Sequence, residues 1–284
     1  LTSTADPTAA AAAVGAAGGL PRLNTLWVEG ALSYVEQVCL RAAVELGHPV
    51  TLYTYHGVDG VPAGVELRDG REVLPEHSLV KHRARDSWGV GADLFRYELL
   101  RQGRGVWIDA DVYLLRPLHI DGKPIVFGWQ RPRLINNAVL YAEADGVLLR
   151  GLADYLAQEH LVPWWLPLHK RWRYAIRPWL GLRPLELADN RWGITGPRAV
   201  TYVARQCGLG DYAEPPDVFY PFGPKWARDV FDPAADVRAH FTERTRAVHL
   251  WNGMLKDLKQ QPPPPGCFMA ELCERHGIAT DPVR

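Results

Sequence analysis

Residues 92–118 read ADLFRYELLRQGRGVWIDADVYLLRPL and pass from helix to strand within a few positions. A helix is predicted from about Ser87 to Arg101, with Leu94, Leu99 and Leu100 placed to pack on a sheet. Gly103 and Gly105 break it, and Val106-Trp107-Ile108 reads as a short buried strand. Asp109 and Asp111 stand where that strand runs out. In open α/β sheets ligands gather beyond the carboxyl ends of strands, so both acids are placed for chemistry.

Upstream, the apolar run Leu26 to Val28 predicts a first strand, ending at Glu29-Gly30. Ser33 can cap the helix that follows, whose apolar face repeats through Val35, Val38, Ala42 and Leu46 and which Gly47 ends. PVTLYTYHG, 49–57, is rich in β-branched and aromatic residues and reads as the next strand. Strand, helix and strand in this space make a βαβ unit and predict a parallel sheet with helices on its faces. Residues 58–80 read as an irregular excursion.

Downstream, PIVFGW (124–129) and NAVLYA (137–142) are strand-like, and DGVLLRGLADYLAQEH (145–160) is an amphipathic helix. From Pro163 to Leu185, Trp164, Trp165, Trp172 and Trp179 are mixed with prolines and arginines, predicting helical pieces over the sheet or a lid. GPRAVTYVARQCG (196–208) reads as a helix with Pro197 in its first turn. DVFYPFG (217–223) and AVHLWNG (247–253) are candidate strand ends, and prolines at 262–265 precede a short C-terminal helix. The expected organisation is an Ala-rich leader over 1–20, a catalytic domain over 21–260, and a proline-rich turn with a helix over 261–284. The domain divides into a nucleotide-binding part, about 21–120, and an acceptor-side part, about 121–260, with a Trp/Arg-rich insertion at about 160–192.

With 284 residues the chain can build one large core. Its 32 basic and 32 acidic side chains cancel, so no global field recommends a nucleic-acid partner. Four cysteines without a CxxC pair argue for reduced structural thiols, not a zinc site or a disulfide framework. No apolar run is long enough to cross a bilayer, and the first residues lack the features of an export signal. A cytoplasmic protein is expected, with peripheral contact at the inner membrane face suited to tryptophans set among arginines.

Three constellations carry chemistry. Asp109-Ala110-Asp111 offers two carboxylates that can hold Mn²⁺ or Mg²⁺, although an isolated pair of this kind also caps turns. Asp93 and Arg96 share one face of the preceding helix; alone they would be a surface ion pair, and turned toward the metal they would meet phosphate or sugar oxygens. His249 and Trp251, in HLWNG, would lie on one side of an extended segment, His249 as a further metal ligand or as a hydrogen-bonded core residue. The aromatic and basic residues of 163–192 are candidates for an acceptor wall or for a small hydrophobic subdomain.

Trp27 in LWVEG, the ADxxR helix, GRGVWIDADV and HLWNG occur in that order and resemble the DxD-motif glycosyltransferases of the sugar-binding-region family. That group includes yeast-type initiating mannosyltransferases, α-1,4-galactosyltransferases and bacterial capsular-polysaccharide transferases; the glucosylating domains of clostridial toxins are more distantly similar. The likeness runs from about 23 to 253 and is densest between 90 and 118. NNAVL at 136–140 and TGP at 195–197 also resemble family elements. Relatives usually have Ser where this chain has Ala92, and Gly-Gly-x-Tyr where it has Arg104-Gly105-Val106-Trp107; neither change removes the metal site.

The resemblance implies a GT-A fold: one Rossmann-like α/β domain with a mixed central sheet and helical insertions. It implies a retaining transferase using Mn²⁺ or Mg²⁺ and a nucleoside-diphosphate sugar, UDP-hexose favoured over GDP-mannose. By position, Asp109 would touch the donor and help hold the metal, which Asp111 and His249 would ligate. Asp93 and Arg96 would grip the donor sugar, Trp27 would lie near the base, and Trp251 or Asn252 near the leaving phosphate. The acceptor would be a saccharide or a lipid-linked saccharide. For retention, front-side attack is expected; Asn136, Asn137 and Asp189 are candidates for the far face, Asn137 first because its segment reads as a sheet edge. A metal-dependent hydrolase or nucleotidyltransferase, or an inactive sugar-binding protein, are the competing readings.

Overall fold

The computed structural model describes residues 19–158, 161–163, 165–183 and 185–280. The expected leader lies outside the described residues but for Gly19 and Leu20, as does Trp164.

Seven strands form a mixed sheet: β1 (Leu23–Leu26), β2 (Val50–Thr54), β3 (Val65–Asp69), β4 (Val106–Ile108), β6 (Ile125–Arg131), β7 (Leu134–Ala142) and β8 (Ala213–Glu214). Their order is β3-β2-β1-β4-β7-β6-β8. β3, β2, β1 and β4 run parallel, β7 is antiparallel to both β4 and β6, and β8 pairs parallel with β6. The remaining strands, β5 (Val112–Leu114) and β9 (Ala247–His249), pair antiparallel as a separate ribbon.

The expected βαβ unit is β1, helix α1 (Tyr34–Glu45) and β2. Its capping box is complete: the Ser33 hydroxyl accepts from Val35 N, and Glu36 accepts from Ser33 N at 2.7 Å. The buried Asn24 amide donates to the carbonyls of Arg104 and Val106, at 2.9 and 3.2 Å, tying β1 to the start of β4.

Alternation along the strands builds two cores. Tyr53, Trp107 and Leu140 face the side covered by α2 (Gly89–Arg101), α3 (Val147–Leu156) and α5 (Pro197–Gln206). Their neighbours Leu52, Val106, Ile108 and Val139 face the α1 side. α7 (Phe268–His276) packs on the outside of α1 through Phe268, Met269 and Leu272. Short α4 (Leu168–Ala175) and α6 (Pro216–Phe219) complete the helices among the described residues.

Four expectations are corrected. The stretch 58–80 contains β3, a real edge strand, whose residues after Val65 are exposed and so carry no apolar alternation. DVFYPFG holds one helical turn, α6, because Pro215 and Pro216 set helical φ angles and supply no ladder donors. AVHLWNG does contribute a strand, but to the β5–β9 ribbon, not to the main sheet. Asn137 sits on β7, an interior strand between β4 and β6, not at an edge. All four cysteines are free thiols, as expected, and Cys39, Cys267 and Cys273 are buried.

Candidate functional site

Three elements converge beyond the end of β4. α2 brings Asp93 and Arg96, the turn after β4 brings Asp109, and the β5–β9 ribbon brings Asp111 and His249 together. The ribbon pairs Val112 with His249, and Leu250 N donates to Asp111 O at 2.9 Å. The His249 ring then stands with Nε2 at 3.2 Å from Asp111 Oδ2, and Asn252 N donates to that same oxygen at 2.7 Å. One ligand atom each from Asp109, Asp111 and His249 lie within 4.8 Å of one another.

Asp109 is only half-buried, and its Oδ1 accepts from Arg96 at 3.0 Å and from Trp107 Nε1 at 2.7 Å. Trp107, the departure from the usual tyrosine, therefore both fills the core and aims the carboxylate. The Arg96 guanidinium lies 4.8 Å from the Trp107 ring and donates to Asn137 O at 2.7 Å. Arg96 is buried, donates to Ala92 O, Asn137 O and Asp109 Oδ1, and so holds Asp109 in place while lining the cleft.

Asp93 is buried one shell back. Its Oδ1 accepts from Asn137 Nδ2 at 2.9 Å and its Oδ2 from the Thr195 hydroxyl at 2.7 Å, with Arg96 3.6 Å away. Burial pushes the Asp93 carboxyl above its ordinary pKa, against the opposing pull of Arg96 and of these hydrogen bonds. At His249 burial opposes the charged form, but the Asp111 carboxylate outweighs it and raises the ring above its usual value. Burial likewise works against the Asp111 anion, and the pairing with His249 nonetheless holds it below the usual carboxylate range.

Trp251 stacks on His249, with ring centroids 4.0 Å apart at 34°, and donates from Nε1 to Phe222 O at 3.2 Å. Its backbone is left-handed, with φ 59°, so this is not the extended segment expected. A bulky residue held there costs about 1–2 kcal/mol, and the stack and the indole bond keep it in place.

Asp93, Arg96, Asp109, Asn137, His249 and Trp251 wall a cleft of about 330 Å³ that also takes in Val90, Gln130, Asn136, Trp192 and Gly193, while Asp111 lies outside that lining. Two further expected residues stand apart from it. Trp27 packs against the core on the α1 side, its Nε1 buried without a partner and the Lys259 ammonium 5.7 Å from its ring. Asp189 is exposed and ion-paired with Arg83, outside the cleft lining. Asn252 reaches the site through its backbone, while its Oδ1 is buried and unpartnered. Among the described residues of the Trp/Arg-rich run, only Trp192 faces the cleft.

Thr195 and Gln130 carry no individual signal in the sequence, whereas Trp192 belongs to the 163–192 run expected as an acceptor wall. Thr195 lay inside the TGP resemblance, which was the available signal. A Cβ on Gly196 would stand 2.8 Å from Asp93 Oδ2, which explains a glycine at the middle of that tripeptide.

An O,O,N donor set with one imidazole suits Mn²⁺ well and Mg²⁺ less well. The buried, unpartnered Nδ1 of His249 leaves that ring's second nitrogen without a protein acceptor, so the ring is not locked to a structural role.

Residues 185–280 match the alpha 1,4-glycosyltransferase conserved region, a stretch that includes Thr195, His249 and Trp251 but not the Asp109–Asp111 pair. None of the curated proteins matches the sequence. Among solved structures, the chain is similar to the PaToxG glycosyltransferase at 12% identity and a TM-score of 0.43, over 67% of this chain and 71% of that one. The last third of the chain thus carries an alpha 1,4-glycosyltransferase conserved region, and the His249 within it stands on the paired aspartates at the end of β4.

Proposed function

We propose that the protein is a retaining, metal-dependent hexosyltransferase that takes its sugar from a nucleoside diphosphate, UDP-hexose in preference to GDP-mannose. The acceptor in this reading is a saccharide or a lipid-linked saccharide. The observation that carries it is the meeting of Asp109, Asp111 and His249 ligand atoms within 4.8 Å of one another, backed by the buried Asp93–Arg96–Asn137 network. A divalent cation bound by Asp109, Asp111 and His249 would neutralise the charge that builds on the departing diphosphate. Arg96 and Trp107 hold the Asp109 carboxylate in a fixed direction, which preorganises the site at no cost during reaction. Asp93 lines the cleft, orders Asn137 beside it and is held by Thr195.

The only carboxylates lining the cleft among the described residues are Asp93 and Asp109, with Asp111 just below. Asp93 has both oxygens engaged by Asn137 and Thr195, which makes it a poor nucleophile. Asn137 is engaged with Asp93, and Asp189 is paired with Arg83 away from the cleft. This supports front-side attack guided by the leaving phosphate. The donor is assigned to the part from about 21 to 120 and the acceptor to that from about 121 to 260. A two-metal hydrolase would need further ligands, and the described residues hold one such cluster.

The test is a thermal-shift panel of UDP-glucose, UDP-galactose, UDP-N-acetylglucosamine and GDP-mannose, each with and without Mn²⁺. A donor at about one hundred times its Kd adds roughly 2.7 kcal/mol, a rise of roughly 5 °C for a chain of this size. The expected result is such a rise with one UDP-sugar, requiring Mn²⁺ and absent in Asp111→Asn. If no nucleotide sugar moves the wild-type transition under any metal condition, the proposal fails.

A further inference from the structure

Among the described residues, the segment from Leu168 to Arg183 carries the most exposed large apolar side chains. Leu168 is 72% exposed, Trp172 67%, Trp179 87% and Leu180 60%. Leu168 and Trp172 are four apart on α4, and hydrogen-bonded turns carry the chain on to Trp179 and Leu180, as in Leu180 N to Ile176 O at 3.1 Å. Lys170, Arg173 and Arg177 fall three and four apart, on a second face.

The exposure is not a sign that the segment lacks a root. Trp165, just before it, packs on Tyr155 and Tyr202 with centroids 5.6 and 6.0 Å away, so one tryptophan anchors the run while two stand out.

Charge sets this surface apart. From position 160 to 185 the sequence holds five Lys or Arg residues and no Asp or Glu. Elsewhere several arginines answer carboxylates: Arg41 with Glu45, Arg228 with Asp257, Arg238 with Glu271, Arg244 with Asp217. Here no carboxylate among the described residues lies within ion-pair distance of Lys170, Arg173, Arg177 or Arg183; Arg177 spends its Nε on the Arg183 carbonyl at 2.9 Å. Unpaired cations beside projecting tryptophan and leucine match the two halves of an anionic bilayer surface: phosphate headgroups, and the apolar layer just beneath them. A soluble polyanion would use the cations and leave the indoles in water.

We propose that the exposed face of residues 168–183 docks the protein on an anionic lipid surface. From this patch the chain runs directly to Trp192 in the cleft wall, which suits an acceptor carried on lipid if the transferase reading above holds. The docking itself needs neither donor nor metal.

The experiment is flotation of the full chain with vesicles of phosphatidylcholine alone or of equal parts phosphatidylglycerol and phosphatidylcholine, at low and at high salt. Each basic residue near such a surface multiplies partitioning roughly fivefold. Wild type is expected to float with the anionic vesicles only, and less at high salt. Lys170→Glu/Arg173→Glu is expected to lower partitioning by at least about tenfold, and Trp172→Ser/Trp179→Ser to lower it by a similar factor, both with an unchanged thermal transition because these side chains are exposed. A wild type that floats no better with anionic than with neutral vesicles overturns the proposal. So does partitioning that survives both variants, or that the charge variant abolishes while the tryptophan variant leaves it intact, the mark of a polyanion site. Because no donor is present, a negative result here leaves the transferase reading standing, and the thermal-shift panel can fail independently.

Discussion

Arg96 is the residue on which most of the site's electrostatics turn. Buried arginine is tolerable only when its charge and its N–H groups are answered, and here Asp109, Asp93 and the Asn137 carbonyl answer them. Arg96→Met would leave two carboxylates facing each other across a buried gap, and a loss of about 3–5 kcal/mol is expected in urea unfolding. Adding Asp93→Asn removes one of those stranded charges, so the double variant should be more stable than Arg96→Met alone; strictly additive losses would show that the two residues are not coupled. Trp251 gives a second test at this scale. Alanine is normally better tolerated than glycine, but at φ 59° the order should invert, Trp251→Gly exceeding Trp251→Ala by up to about 1 kcal/mol. The usual order would mean that the left-handed backbone relaxes without the indole.

At the scale of elements, the β5–β9 ribbon accounts for the site. It lies off the main sheet, and its register sets His249 beside Asp111 although 138 positions separate them, 249 less 111. A second long-range tie fixes the start of α1. Glu36, fully buried, completes the Ser33 capping box and accepts from Lys259 at 2.7 Å, so the loop after β9 is clamped to the first βαβ unit. Lys259→Met should cost about 3 kcal/mol by stranding the Glu36 charge, and Glu36→Gln in the same chain should recover part of it, both read from denaturant midpoints. Failure of Glu36→Gln to recover any stability would mean the lysine acts through its stem alone. The capping box itself was legible in Ser33 and Glu36, because their spacing is local. The lysine was not, since nothing near position 259 names its partner.

Over the whole molecule, the parallel half of the sheet, the two-faced core and the acids at the end of β4 follow from local rules. Val106-Trp107-Ile108 between glycines and aspartates reads as a buried strand ending in chemistry wherever it occurs, because burial and strand ends are encoded within a few residues. The exposed edge strand β3 and the single turn α6 were misread for the same reason in reverse. β3 has no apolar alternation to announce it, and the two prolines of α6 override the aromatic pattern of DVFYPFG. The sequence by itself therefore determined the α/β class, the candidate pair Asp109 and Asp111, and the abundance of tryptophan and arginine in one run. Only the tertiary structure decided that Arg96 is turned inward onto Asp109, that Thr195 and Asn137 hold Asp93, and that Trp165 is packed while Trp172 and Trp179 stand in solvent. Those outcomes depend on which surfaces meet across long stretches of chain, and no local pattern carries that information.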